Sequence, residues 1–156
     1  MNFNELHQFL LDSNAAGYAT GDEKKWVKEP DGSTTIPYSK GDWRMHDNFF
    51  GGEPYGGRLV VFHQEKPVWL MVYYGWVVAG IVPQTVYSVL QEALKNMPAE
   101  APFRGPKKLE KDGLTYKNDW TGDLDRFEGH EQILRGENVV YEAHYQGGMV
   151  DQRGGV

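Results

Sequence analysis

Aromatic rings and a few carboxylates are the side chains of this chain that could do chemistry. Rings account for 13% of the 156 residues, and no cysteine is present, which excludes thiolate catalysis and cysteine-ligated metal centres. Rings beside a carboxylate attract cations and flat heterocycles. We therefore predict a ligand-binding set that combines both residue types: Trp43, Glu53, Trp69, Tyr73, Glu131, Tyr141 and Tyr145. The alternative is that these rings simply fill a hydrophobic core.

Acid–base catalysis is less well supported by the spacing of the ionisable residues. His46 and Asp47 are adjacent, but neighbouring residues of a strand point to opposite faces, so they do not form a working pair. Glu53, Glu131 and Glu142 are candidate carboxylates, yet spacing alone does not place two of them across one substrate. No catalytic residue is therefore assigned.

Metal and nucleotide sites lack their usual sequence signatures. No two of the five histidines stand at the close spacing of a typical metal-binding pair. His130 and His144 could meet across a hairpin, but hairpins bring side chains together so often that this does not indicate a site. The glycine-rich phosphate-binding motifs are also missing. We predict neither a metal nor another cofactor.

Two helices and several strands must position these residues. Apolar residues at helical spacing predict helices over 2–13 and 83–97, the second starting at Pro83. Alternating residues predict one or two strands within 36–50 and further strands at 58–64, 67–74, 115–120, 127–134 and 139–146. The polar stretches 21–35 and 99–113 are interpreted as an exposed loop and a connector. The tail 151–156 is expected to be frayed.

Two segments of the chain resemble each other. Residues 68–75 are echoed by residues 140–147, and Phe-x-Gly stands upstream of each, at Phe50 and Phe127. The echo predicts one domain, 1–156, with pseudo-repeats at about 1–80 and 81–150, and makes Glu131 the counterpart of Glu53. The expected fold is α+β, an antiparallel sheet of about six strands with two helices on one face, from a duplicated αβββ unit. The alternative is chance similarity between two hairpins.

Alternation along the echoed segments assigns each residue to a face of the sheet. One face carries Trp69, Tyr73, Tyr141, Tyr145 and their apolar neighbours, and we assign it to the core. The opposite face is apolar in the first segment and mostly polar in the second. Either this open face is a binding surface or subunit contact, or the loop 21–35 covers it.

The composition limits the classes of protein to which this chain can belong. The hydrophobic fraction is 40%, the charged fraction is 24% and the net charge is -6, values that are typical of a soluble globular domain. The sequence has no cluster of basic residues of the kind that binds nucleic acid, which argues against direct nucleic-acid binding. No apolar run approaches the roughly 20 residues of a membrane helix. Without a basic N-terminal stretch or cysteine, the chain is expected in the cytoplasm.

Several motifs together resemble an uncharacterised bacterial domain family. They span most of the chain: Tyr38-x2-Gly-Asp-Trp43, Asp47-x2-Phe50-Gly-Gly, Pro67-Val-Trp-x-Met71-x-Tyr73-x-Gly75, Phe103-Arg-Gly-Pro106 and Tyr141-x3-Tyr145-x-Gly-Gly148. Some domains of this family stand alone, and others resemble the C-terminal part of regulators that begin with a helix-turn-helix segment. The resemblance implies effector sensing or assembly. DNA binding does not carry over, because this chain shows no helix-turn-helix segment, and no catalytic residues are transferred.

Three classes of function are consistent with these residues. The first is a non-catalytic module that senses a small-molecule effector; by analogy of fold, its ligand would lie between the halves, near a glutamate and rings. The second is a protein-interaction module, such as a toxin-neutralising or phage-defence-related protein, or a homodimer, that uses acidic loops and the open face. The third is an enzyme of unknown class that uses His46, Glu53 or His144.

Overall fold

A nine-stranded antiparallel sheet dominates the computed structural model, which describes residues 2–19, 26–151 and 153. The strands within this part of the chain are β1 (Val27–Lys28), β2 (Thr34–Lys40), β3 (Trp43–Phe50), β4 (Tyr55–His63), β5 (Lys66–Val77), β6 (Lys108–Lys111), β7 (Leu114–Asp123), β8 (Arg126–Arg135) and β9 (Asn138–Met149). Their order is β1-β2-β3-β4-β5-β9-β8-β7-β6. The centre of the sheet therefore joins two strands that are distant in the sequence, β5 and β9.

The expected sheet of about six strands from two αβββ units is wrong, although an α+β fold with an antiparallel sheet is confirmed. β1 and β6 lie at the two edges and are short and polar, so they show no apolar alternation within the predicted loop and connector. A tight turn at Gly41 and Asp42 also divides the stretch 36–50 into β2 and β3. Residues 20–25 of the predicted loop, and 152 and 154–156 of the predicted tail, lie outside the described residues.

Two α-helices lie close to their predicted positions: α1 (Phe3–Asn14) and α2 (Pro83–Lys95). The Asn2 side chain caps α1 by accepting a hydrogen bond from the Asn4 backbone N–H at 3.0 Å. α1 continues into a π-helical turn, Ala15–Ala19. Pro83 begins α2, where its fixed φ suits the first helical turn. Neither helix has the length and apolar character that crossing a membrane requires.

Both helices pack on one face of the sheet, the face that the alternation predicts for the core. Leu6 of α1 belongs to a buried cluster with Trp69 of β5, and Val86 of α2 belongs to a second cluster with Tyr141 of β9. All four side chains are fully buried. The helices therefore cover two apolar clusters on the same face of the sheet.

The opposite face of the sheet is open in the described part of the chain. On β5, Val72 and Tyr74 are 38% and 52% exposed. The described end of the predicted loop does not cover them, because β1 pairs with β2 at the edge of the sheet. Large apolar side chains on central strands thus face solvent.

Tyr73 and Tyr145 pair at the centre of the sheet, one from β5 and one from β9. The ring of each tyrosine packs over a glycine on the neighbouring strand, Gly57 in β4 and Gly129 in β8. A Cβ added at either glycine would collide with the tyrosine, so the two positions need glycine for close approach. From these anchors, positions can be matched outwards across the two halves of the sheet.

Glu131 and Glu53 do not occupy matching positions in this register. Glu131 lies two residues beyond Gly129 in β8, and the position two residues beyond Gly57 in β4 is Leu59. The Phe-x-Gly motifs do not match either, since Phe50 ends β3 and Phe127 lies near the start of β8. The prediction that Glu53 is the counterpart of Glu131 is therefore wrong. The duplication itself stays a prediction.

Candidate functional site

A cluster of ionised and phenolic groups lies buried between the sheet and the helices. Its members come from five segments of the chain and are Tyr55, Arg104, Tyr116, Glu131 and Tyr141, which we call the buried ionic cluster. Glu131 reaches this position because it lies on the helix-facing side of β8, like its buried neighbours Phe127 and Ile133. Its side chain is 0% exposed.

Both oxygens of the Glu131 carboxylate have hydrogen-bond donors. Oε2 accepts from Nε and Nη2 of Arg104 at 3.1 and 2.8 Å, and Oε1 accepts from the Tyr116 hydroxyl. Charge-assisted bonds of this kind are about twice as strong as bonds between neutral groups. The carboxylate is therefore fully satisfied by its surroundings.

Arg104 is held on its other sides by rings and hydroxyls. Its Nη2 donates to the Tyr55 hydroxyl at 3.1 Å, and the Tyr55 and Tyr141 hydroxyl oxygens are 2.5 Å apart. The guanidinium carbon lies 5.3 Å from the centroid of the Tyr73 ring, within cation–π range. The guanidinium thus sits in a cage that recognises its charge, its planarity and its N–H groups.

Arg104 comes from the connector between α2 and β6, not from a helix or strand. Residues 101–105 of this connector are all buried. Phe103 stacks on Phe127 with ring centroids 4.1 Å apart, and the Gly105 carbonyl accepts a hydrogen bond from Asn118 Nδ2 at 2.8 Å. The segment 101–105 therefore closes the helix side of the sheet over Glu131.

The electrostatics keep the phenols neutral and the arginine charged. Burial, and then the Glu131 charge, raise the pKa of Tyr116 far above its usual value. Burial first and the neighbouring phenol of Tyr55 second raise the pKa of Tyr141. For Arg104, burial alone would lower the pKa, but Glu131 and the tyrosines outweigh it and raise the pKa well above its usual value. At neutral pH Arg104 is therefore charged, and the phenols of Tyr116 and Tyr141 are protonated.

The two central tyrosines connect the cluster to polar groups on β3 and β7. The Tyr73 hydroxyl donates to Asp47 Oδ1, and the Tyr145 hydroxyl donates to Asn118 Oδ1 at 2.9 Å. Burial raises the pKa of Tyr145 far above the usual range. Asp47 and Asn118 are both buried, and Asp47 lies on the helix side while adjacent His46 lies on the open side. The prediction that His46 and Asp47 do not act as a pair agrees with this geometry.

Four of the seven predicted ligand-binding residues converge here: Tyr73, Glu131, Tyr141 and Tyr145. Glu53 lies at the border of the cluster, where Oε1 accepts from the Val77 backbone N–H at 2.7 Å and Oε2 accepts from the Tyr87 hydroxyl. The Tyr87 ring contacts the Tyr141 ring edge-on, at 6.4 Å between centroids. Burial, and then the bond to Glu53, raise the pKa of Tyr87.

Neither of the two predicted tryptophans is a member of the buried ionic cluster. Trp69 pairs with Met149 of β9, eight residues and roughly 27 Å from Tyr141 along that strand. Its Nε1 donates to the Leu124 carbonyl at 2.9 Å. Trp43 lies near α1 and contacts His63, with ring centroids 4.4 Å apart. The predicted convergence of all the rings at one seam is therefore only partly met.

Sequence reasoning missed Arg104, Tyr55, Tyr116 and Asn118. Arg104 stands in a connector that is otherwise rich in proline and charge, where no periodicity marks a buried side chain. The one available signal was the Phe103-Arg-Gly-Pro106 motif, in which Arg104 is flanked by an aromatic residue and a glycine. Gly105 has a clear role there, because an added Cβ would lie 2.6 Å from the Tyr116 hydroxyl oxygen.

A small hollow is lined in part by Arg104. Its volume is about 30 Å³, and Asp47, Trp69 and Phe103 also contribute to its lining. A much larger groove, of about 660 Å³, runs over the open face past Tyr74, Glu128 and His144. The two spaces lie on opposite faces of the sheet.

The fold and the cluster define an α+β domain in which an ion pair is sealed between an antiparallel sheet and two helices. Residues 47–150 match the family "Domain of unknown function (DUF5680)", and the chain belongs to this family. The predicted membership of an uncharacterised domain family is thereby confirmed. The chain shows no significant similarity to a curated protein or to a solved structure.

Proposed function

We propose that the protein is a non-catalytic binding module for a small organic cation, which occupies the cage around Glu131 in place of the Arg104 guanidinium. The observation that carries this proposal is the fully buried Glu131 carboxylate, whose cationic partner comes from a connector. A connector can move without breaking a sheet ladder or a helix. The arginine is thus the replaceable part of the cluster.

The energetics of a buried ion pair favour a functional role over a structural one. Removing two charges from water costs several kcal/mol each, and apolar replacements of such pairs are often as stable or more stable. Ionisable groups whose pKa values are strongly shifted and that lie together in one buried site are candidates for function. The cluster joins one carboxylate, one guanidinium and three tyrosines on a face whose buried side chains are mostly apolar.

The groups that hold Arg104 define the ligand. They offer a carboxylate oxygen, a phenolic oxygen and a ring face, which suit a planar cation with at least two N–H groups, such as an amidine or a guanidine. The hollow of about 30 Å³ leaves no room for such a ligand beside Arg104. Binding therefore lifts the segment 101–105, and this displacement is the signal that an effector-sensing module passes on. In members joined to a helix-turn-helix segment, the signal would reach DNA.

Chemical complementation tests the cage. In Arg104→Ala, guanidinium at about 10 mM should raise the melting temperature by a few degrees, because the ion fills the vacated cage; its denaturing effect at that concentration is below about 0.1 kcal/mol. Wild type and the matched variant Arg58→Ala, which removes an exposed arginine of β4, should respond much less, because Arg104 competes with the ion for the cage. An equal response in Arg58→Ala, or a response that persists in Arg104→Ala/Glu131→Gln, contradicts the proposal.

The wild-type protein provides a second test that does not depend on the folding of a variant. Benzamidine and related planar cations should change tryptophan fluorescence, because Trp69 borders the hollow beside Arg104. Glu131→Gln should abolish the change, whereas Glu128→Gln, on the open face, should retain it. Titrations without a fluorescence change across such a panel count against an organic-cation ligand.

The exposed face of β5 favours a second candidate, a protein-interaction module. Val72 and Tyr74 are accessible, and Asp119 and Glu128 border the same groove, so a partner with apolar and basic groups would fit it. A second copy of the chain is the simplest partner to test. Light scattering should then show association that Val72→Lys abolishes; a monomer at all concentrations rules out the homodimer.

A further inference from the structure

Two histidines and a glutamate meet on the open face of the sheet, away from the buried ionic cluster. His130 of β8 and His144 of β9 are direct cross-strand partners. Their rings are stacked, with centroids 4.4 Å apart and planes 12° apart. Glu142 precedes His144 by two residues and therefore points to the same face.

The donor atoms of these three side chains are close enough to share one ion. One ligand atom from each of His130, Glu142 and His144 lies within 4.8 Å of the others, and this is the cluster of metal-ligating side chains found among the described residues. His130 Nε2 is 3.9 Å from Glu142 Oε2. Donors around a tetrahedral Zn²⁺ lie about 3.3 Å apart, given bond lengths of about 2.0–2.1 Å. Side-chain rotations that move the donors by about 1 Å would close the site.

The surroundings support ligation rather than a simple histidine contact. His130 Nε2 is shielded from solvent and makes no hydrogen bond within the described structure, which is unusual for a polar nitrogen. Gln132 Nε2 donates to Glu142 Oε1 at 3.2 Å and leaves Oε2 directed at His130. Such outer hydrogen bonds orient the ligands in metal sites. The His144 ring is backed by the Trp76 ring, at 6.1 Å between centroids.

We propose that His130, His144 and Glu142 bind a divalent transition-metal ion, with Zn²⁺ as the reference ion. Two imidazoles and one carboxylate are a donor set of zinc sites that keep a fourth position open. Here that position faces solvent, because His144 is exposed at the edge of the groove. The site is independent of the proposed cation cage, which lies on the other face of the sheet.

The other half of the sheet provides an internal comparison for this site. The register places Arg58 and Val72 at the positions that match His130 and His144. Neither side chain is a metal ligand, and a cation at Arg58 would repel an ion. The protein should therefore bind one ion per chain at this face.

Calorimetric titration of ZnCl₂ into chelator-treated protein tests the site. We expect one ion per chain, a rise in melting temperature on binding, and a loss of affinity of at least about tenfold in His130→Ala and in His144→Ala. The control His46→Ala removes another open-face histidine and should bind like wild type. Circular dichroism verifies that each variant is folded.

Two results would overturn the metal site. One is the absence of both heat and stabilisation up to about 1 mM Zn²⁺, which corresponds to about 4 kcal/mol of binding free energy. The other is unchanged affinity in folded His130→Ala/His144→Ala. Co²⁺ substitution gives a further readout, because intense visible absorption that requires His144 would report a low-coordinate nitrogen-containing site, and its absence in the Co²⁺-saturated protein would contradict the tetrahedral arrangement.

Discussion

The two halves of the sheet carry different chemistry at matching positions on either side of the central β5–β9 pair. On the helix face, the row through β3, β4 and β5 reads Asp47, Leu59 and Met71, and the matching row through β7, β8 and β9 reads Asn118, Glu131 and Ala143. The first half places its carboxylate on β3, two strands from the centre, where Asp47 accepts a hydrogen bond from Tyr73. The second half places it on the strand next to the centre, where the segment 101–105 delivers Arg104.

This difference shows that the environment above the sheet decides which side chain a register position can hold. Above Leu59 lies the apolar cluster that includes α1. Above Glu131 lie Arg104 and Tyr116, which satisfy both carboxylate oxygens. The backbone register is the same on both sides, so the contrast comes from the tertiary packing.

Replacing Glu131 by leucine, the residue at the matching position of the first half, should have the largest effect on stability. Glu131→Leu leaves the Arg104 guanidinium buried without its partner, and we expect a loss of about 3–5 kcal/mol in the free energy of unfolding. Denaturant titration measures this loss. Because an apolar pair can replace a buried ion pair, Glu131→Leu/Arg104→Met should regain most of the stability. If Glu131→Leu alone were as stable as wild type, the ion pair would not be needed for stability.

Gly129→Ala tests the close approach that both halves share. The added Cβ would overlap the buried Tyr145 ring, and we expect a loss of about 1–3 kcal/mol or more. Gly57→Ala should behave similarly, because its Cβ would lie 2.7 Å from the Tyr73 hydroxyl oxygen and 2.5 Å from the Asn48 carbonyl. Gly52→Ala is the control, since nothing lies within 4 Å of its added Cβ. Thermal unfolding of all three variants ranks them; equal losses would refute the packing argument.

Exchanging the polar residues at the matching positions of β3 and β7 should give unequal effects. Asn118→Asp removes the donor to the Gly105 carbonyl and places a second carboxylate beside Glu131, so we expect a loss of about 1–3 kcal/mol at pH 7. Asp47→Asn keeps an acceptor for Tyr73 and should cost about 1 kcal/mol. Urea unfolding at pH 7 compares the two.

The pH dependence of the stability of Asn118→Asp tests whether the second carboxylate beside Glu131 causes the loss. Burial and the Glu131 charge should raise the pKa of the new carboxyl above its value in the unfolded chain. The variant should therefore recover stability relative to wild type as the pH falls, because the protonated carboxyl is neutral and can donate. A loss that is independent of pH would point to packing alone.

The smallest expected effect concerns the open face of the first half. Burial, followed by the charges of Arg58 and Arg44, lowers the pKa of His46 below its usual value of 6.5. The unfolded chain therefore binds a proton before the folded chain does, and His46 makes the protein less stable as the pH falls through about 6.5. The matching position in the second half is Lys117, which has no imidazole.

His46→Gln isolates this contribution. The decrease in unfolding free energy between pH 7.5 and pH 5.5 should be smaller in the variant than in wild type, as measured by chemical denaturation at both values. Lys117→Gln is the matched variant and should leave the pH dependence unchanged. Identical pH profiles for wild type and His46→Gln would show that the His46 environment does not oppose protonation.

Much of the fold was predictable because it follows from local periodicity. Both helices and the central strands were placed within a few residues, since their apolar residues recur at 3.6 or 2 residues. The short edge strands β1 and β6 were not predictable, because polar edge strands carry no such pattern. The same limit applies to the site: Glu131 and Tyr141 follow from alternation, but Arg104 lies in a connector whose burial depends on stacking of Phe103 on Phe127.

The sequence by itself determined which residues share a face of the sheet, the acidic net charge and the absence of cysteine chemistry. Only the tertiary structure decided which residues meet across strands: Tyr73 with Tyr145, His130 with His144 and Arg104 with Glu131. The physical reason is that backbone geometry sets the alternation within each strand. The register between strands, and the path of the connector over them, depends instead on side-chain packing between residues that are far apart in the chain.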